Sequence, residues 1–132
     1  MATETRIEIS SSGDIVTARQ KGRALAAELG FSGSDLIVIA TAISEVARNI
    51  VEHAIKGEVI LGAIENGSLC GIMIVARDQG PGIPDITRAL QDGYSSGRGL
   101  GLGLPGAKRL MDDFEIVSEP GKGTTIKMKK WV

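Results

Sequence analysis

The sequence predicts one α/β domain that combines amphipathic helices with antiparallel strand pairs. Three observations carry this. Apolar residues recur at helical spacing over 15–29, and again at Leu36, Ile39, Ile43, Val46 and Ile50. Two Ile- and Val-rich runs, 58–65 and 69–78, flank Asn66-Gly67. Asn-Gly supplies the positive φ angles that a type I′ hairpin turn needs. A further pair of runs, 114–119 and 124–131, brackets Pro120-Gly121-Lys122-Gly123. The chain 1–132 is expected to be a single domain. Its core is expected to be aliphatic, because 42% of residues are hydrophobic but only one Trp, one Tyr and two Phe are present.

Composition excludes several function classes. Fifteen Lys plus Arg against 16 Asp plus Glu give a formal charge of −1. A near-neutral domain has no field to attract nucleic acid or an anionic membrane surface, so neither partner is expected. No apolar run approaches a membrane span, and the N-terminus lacks the apolar stretch of a signal peptide. A cytoplasmic location is expected. Cys70 is the sole cysteine; it sits in an apolar strand pattern and is read as a buried structural thiol.

The elements follow in order. Residues 6–10 alternate as a short edge strand, and Ser11-Ser12-Gly13-Asp14 is a turn able to cap the helix 15–29. Arg19 and Arg23 lie together on that helix's flank, as an ordinary solvated pair or a docking feature. Gly30 ends the helix. Ser32 or Ser34 is the expected N-cap of the central helix, which should run to about Lys56-Gly57. On it, Glu45, Asn49 and Glu52 fall opposite the core stripe. A solvated face is one reading. The other is functional: Asn oxygen is a hard ligand for Mg²⁺, and a Glu one turn earlier can take a proton from a nucleophile.

Strand 69–78 ends in Asp78-Gln79-Gly80-Pro81-Gly82, where an acid followed by glycines brings backbone close to a ligand. Residues 84–90 read as a short helix with Pro at its first turn. Glycines 97, 99, 101 and 103 then precede the helical stretch 104–113. A floppy loop is one reading; a phosphate cradle feeding a helix N-terminus is the better one. In strand 124–131 the lysines mark a solvated face or a protected edge.

Four boxes now stand in order: Glu45-x-x-x-Asn49, Asp78-x-Gly80-x-Gly82, Gly99-x-Gly101-x-Gly103 and Gly121-x-Gly123-Thr124. Together they resemble the ATP-binding fold shared by histidine kinases, DNA gyrase, the Hsp90 chaperone and MutL. That resemblance implies a two-layer α/β sandwich with a mixed, mainly antiparallel sheet backed by helices. It implies ATP and Mg²⁺ as cofactors, with Asn49 holding Mg²⁺ and Glu45 as the catalytic residue. Asp78 would accept the adenine amino hydrogen, Gly80 and Gly82 would line the base, and Thr124 would support its pocket. Gly99, Leu100, Gly101, Leu102 and Gly103 would cover the phosphates. His53, four residues after Asn49, is either near the phosphates or an ordinary half-buried helix histidine.

Gyrase, Hsp90 and MutL use a second domain, which is not expected within these 132 residues, and a histidine kinase needs a phosphoacceptor His outside the nucleotide helix. The run Leu104-Pro105-Gly106-Ala107-Lys108-Arg109-Leu110-Met111 is similar to the RsbT-type switch kinases of bacterial stressosomes. By that resemblance the chain phosphorylates Ser or Thr on STAS-domain partners. It would then activate a downstream partner such as a phosphatase; separately, helical geometry offers the paired guanidinium groups of Arg19 and Arg23 as the expected docking surface. The alternative within the same superfamily is an anti-sigma factor that sequesters a sigma factor.

Overall fold

The computed structural model describes residues 4–82 and 103–132. Among these residues eight elements are described: β1 (Thr5–Ile9), α1 (Ser12–Leu29), α2 (Ser34–His53), β2 (Gly57–Asn66), β3 (Leu69–Asp78), α3 (Gly103–Leu110), β4 (Asp113–Glu119) and β5 (Gly123–Trp131). The strands form a sheet of order β1-β2-β3-β5-β4. Each described pair is antiparallel, so the sandwich stands with no parallel pair among the described residues. The expected helix at 84–90 lies outside them.

Strand alternation divides the sheet into two faces. Ile7, Ile9, Val59, Leu61, Ile72, Ile74, Ile126 and Met128 join the buried core with α1, α2 and α3. The α2 stripe supplies Ile39, Ile43, Val46 and Ile50, with Leu36 packed at its margin. Gly22 of α1 lies so close to the Ile43 side chain that a Cβ there would strike it, which lets the two helices approach closely. The other face is held by charge. Glu58 accepts from Arg6 at 3.0 Å through one oxygen and from Arg77 at 2.9 Å through the other. Lys127 is exposed on this open face, while β5 itself lies between β3 and β4. Lys127 therefore marks a solvated face, whereas Lys130 alternates with it and donates to the Leu110 carbonyl at 3.4 Å; among the described residues the sheet edges are β1 and β4.

Several boundaries differ from expectation. The N-cap of α2 is Gly33, at φ 58° and ψ −133°, with no side-chain cap; neither Ser32 nor Ser34 fills that role. The first amides of α2 instead donate to the Ser32 and Gly33 carbonyls. The helix stops at His53, because Ile55 takes φ 73°. A β-branched residue in that region is uncommon, and nothing in composition announces it. Helix α3 ends at Leu110 because Asp113 pairs with Lys129 and opens β4. Cys70 is half-buried, its thiol donating to the Leu29 carbonyl at 3.7 Å. None of the described helices is long and apolar enough to cross a membrane.

The start of α1 is pinned by Asp14. Its Oδ2 accepts from the Ser10 N–H at 2.9 Å and the Ser11 N–H at 3.1 Å. The Ser10 N–H, with further bonds from both serines, holds this exposed carboxyl below its ordinary value. A lowered folded-state value means the contribution to stability is present above the unfolded value and lost as pH falls through the folded one. Asp14→Asn should therefore be less stable than the parent at pH 7, with the gap closing below about pH 4. Urea denaturation of both proteins between pH 7 and pH 2.5 measures the gap directly.

Candidate functional site

Asp78 closes β3 opposite Thr124, the second residue of β5. Both are buried, at 7% and 5% exposure. A carboxylate at that depth needs donors, and Asp78 Oδ1 has two, the Gly80 N–H at 2.9 Å and the Thr124 N–H at 3.3 Å. One oxygen thus fixes the turn of the 78–82 loop and the start of β5. The Thr124 hydroxyl lies 2.8 Å from the Ser118 hydroxyl, and Ser118 also donates to the Gly123 carbonyl at 3.3 Å. Ser118 is a residue that sequence reasoning missed. The register of the β4–β5 hairpin, counted outward from Pro120-Gly121-Lys122, would have found it, since Ser118 pairs with Thr124.

The glycines of this region serve chain packing. Gly123 has φ 106°, and a Cβ there would strike the Asp78 carbonyl. Gly82 has φ 81°, and its missing Cβ leaves room for the Glu119 carbonyl. The space at Gly82 is therefore filled by backbone, a reason for glycine separate from any ligand approach. The Pro81 carbonyl accepts from the Gly121 N–H at 2.7 Å. On its other side the loop meets α2: a Cβ on Gly80 would sit 2.6 Å from the Ala54 Cβ. Asp78, Gly80, Gly82 and Thr124 are thus one cluster, wedged between the β4–β5 turn and the end of α2. A cleft of about 330 Å³ adjoins it, lined in part by Arg77, Asp78, Thr124 and Val117.

The second cluster lies farther back on α2. The sequence placed Glu45, Asn49 and Glu52 opposite the core stripe, open to solvent on one reading. Glu52 is exposed and Asn49 half-buried, but Glu45 is 6% exposed. The reason is α3, whose Leu104 and Ala107 are buried in the same core and whose first residue reaches Glu45. Glu45 Oε1 accepts from the Gly103 N–H at 3.1 Å, and Oε2 accepts from Arg48 Nη1 at 3.0 Å. Arg48 was not singled out from the sequence. Asn49 follows one turn after Glu45, and His53, exposed, ends the helix. From Glu45 to Ala54 the helix advances about 13 Å, which is how one element serves both clusters. Gly99, Leu100, Gly101 and Leu102 lie outside the described residues.

A family model for the histidine kinase-like ATPase domain matches residues 10–130. The chain is 48% identical over 132 residues to the serine/threonine-protein kinase RsbT of Bacillus subtilis, covering 100% of this chain and 99% of that one. It is 31% identical over 130 residues to an anti-sigma F factor of Thermoanaerobacter, covering 94% and 90%. Its fold matches a crystal structure of the RsbU and RsbW domains of a Mycobacterium tuberculosis protein with TM-score 0.62 and 24% identity, over 97% of this chain and 31% of that one.

Two glycine substitutions separate backbone strain from collision. Gly121 has φ 81° with open space where a Cβ would stand, whereas at Gly123 the Asp78 carbonyl occupies that space. Gly121→Ala should cost about 1–3 kcal/mol, the φ penalty alone. Gly123→Ala should cost more, by moving β5 off Asp78. Chemical denaturation of both variants gives the comparison; equal costs would show that the Asp78–Gly123 approach carries no constraint.

Proposed function

Since the chain belongs to the histidine kinase-like ATPase family and is a protein serine/threonine kinase of the RsbT type, we propose that it transfers the γ-phosphoryl of ATP to a Ser or Thr of a STAS-domain partner in a bacterial partner-switching system. The observation that carries this reading is the contact between Glu45 and the Gly103 N–H. It brings the carboxylate of the nucleotide helix to the end of the glycine-rich segment.

Each residue then has a role. Asp78 takes the adenine amino hydrogen; its two described bonds fall on Oδ1, so Oδ2 is the acceptor offered to the base. Thr124, tied to Ser118, keeps that wall in place. Asn49 offers a half-buried carboxamide oxygen, a hard donor that suits Mg²⁺. Bound there, the ion would neutralise charge developing on the phosphate oxygens. The 99–103 segment supplies N–H groups to the phosphates, and His53 stands near them at the helix end. Glu45 positions the partner hydroxyl and accepts its proton while the phosphoryl passes to the hydroxyl oxygen and ADP leaves. Positioning and electrostatics do most of the work in such a transfer.

Release follows from charge. A phosphate of nearly two negative charges set in a packed interface costs desolvation and repulsion, so the phosphorylated partner dissociates. The freed kinase then engages a downstream protein, such as a phosphatase, inside the cytoplasm. Arg19 and Arg23 are both exposed on α1, four residues apart on one flank, and guanidinium groups grip carboxylates in a fork. We place partner docking there. The 31% identity to anti-sigma F factors supports a second reading, in which the chain holds a sigma factor.

Incubation with γ-labelled ATP and STAS-domain proteins, followed by phosphosite mapping, tests the transfer. Asn49→Ala should fold normally and lose at least a hundredfold in rate, since about 1.4 kcal/mol is a factor of ten and metal stabilisation is worth several. Asp78→Asn should lose ATP affinity in calorimetry, because an amide can present a donor where the adenine amine needs an acceptor. Arg23→Ala should weaken STAS capture with ATP affinity unchanged. Stable capture of a sigma factor without STAS phosphorylation would favour the second reading.

A further inference from the structure

We infer that Arg48 is a positioning residue for phosphoryl transfer, acting through Glu45. The inference rests on the reading of Glu45 as the group that meets the partner hydroxyl. Three observations point to it. The Glu45 side chain is 5% exposed, too deep for water to orient it freely. Its Oε1 is committed to the Gly103 N–H at 3.1 Å. Its Oε2 is met by Arg48 Nη1 at 3.0 Å, from a side chain that is itself 30% exposed.

The geometry makes this more than an ordinary helix ion pair. Arg48 follows Glu45 by three residues, so its guanidinium lies over the carboxylate from the next turn of α2. Exposed pairs of this kind contribute little, but here the acidic partner is buried. Removing the cation would leave Oε2 without the charge-assisted bond that fixes it. Among the described residues the carboxylate would then be tethered through Oε1 only, with more freedom to turn about its χ angles. Gly103 also begins α3 and ends the glycine box, so its N–H is a donor that nucleotide phosphates would compete for. If ATP draws that N–H away, Arg48 becomes the sole described group holding Glu45 in direction. Arg suits the task because it stays charged at any working pH and presents a planar donor set. The position is one of the unspecified residues between Glu45 and Asn49, and none of the four boxes calls for it.

The test uses the full chain with Mg·ATP and a STAS-domain protein as acceptor. Rates are measured for Arg48→Ala, Arg48→Lys, Glu45→Gln and the Arg48→Ala/Glu45→Gln double variant. Misplacement of a reacting group by about 1 Å can cost a hundredfold, so Arg48→Ala should lower kcat by about ten- to a hundredfold. Its KM for ATP and for the acceptor should stay within about twofold, and its calorimetric ATP affinity should match the parent. Arg48→Lys, which can still donate to Oε2, should recover most of the rate. In the Glu45→Gln background, expected to be slow in transfer, Arg48→Ala should add no further loss in the residual rate. Arg48→Ala at the parent kcat, beside an inactive Glu45→Gln, would overturn the positioning role while leaving that of Glu45 intact. A loss confined to the acceptor KM, or a full further loss in the double variant, would likewise overturn it. Glu45→Gln at the parent rate would overturn the reading of Glu45 and this inference with it. Should Arg48→Ala fail to fold, Arg48→Met, which keeps an apolar stem but cannot donate to Oε2, takes its place with the same outcomes.

Discussion

Asp78 Oδ1 accepts two backbone N–H groups that belong to different parts of the chain. Much of the site depends on that oxygen. One bond curls the chain back at Gly80, which sets the loop against Ala54 and so against the end of α2. The other holds the start of strand β5, where Gly123 passes so near the Asp78 backbone that no side chain fits. Because the carboxylate is buried, losing either donor would expose it to the cost of an unmatched charge rather than to water. The loop and the sheet are therefore tied together through a single side chain, and the loop in turn packs on the end of α2.

The helical layer meets a parallel demand. A carboxylate on the inner part of α2 is costly unless both oxygens are matched. Gly103 and Arg48 supply the match from two directions, one from the backbone of α3 and one from the same helix. The carboxylate also gives the start of α3 a negative group near its positive end, which is favourable. Glu45 thus contributes to the seating of α3 as well as to the site, and its chemistry cannot be separated from the packing of that helix.

How much of this was legible in the sequence follows from what each signal encodes. The 66–67 turn and its flanking runs gave a hairpin whose register is fixed by the turn itself, so Asp78 was placed correctly at a strand end. Periodicity named the core stripe of α2 because apolar side chains must all face one way. It could not say what lies over the polar side, so the burial of Glu45 beneath α3 and the bond from Arg48 were not visible. Gly33 as an N-cap escaped notice because its role comes from its backbone angles, not from a side-chain oxygen. Ser118 was hidden for another reason: its partner Thr124 was known, but the residue opposite had to be counted through the second turn.

The corner at Ile55 has an effect on rigidity. A glycine or asparagine would relax the φ of 73° found there, yet the position holds a β-branched residue that is also exposed, at 78%. A glycine would remove local strain but enlarge the range of backbone shapes open to the unfolded chain and to the corner itself. Isoleucine keeps that range narrow. The joint between α2 and β2 therefore carries some backbone strain. Ala54, one residue before it, stands where a side chain on Gly80 would collide, so the position of the corner limits how near the Asp78 loop can come to α2.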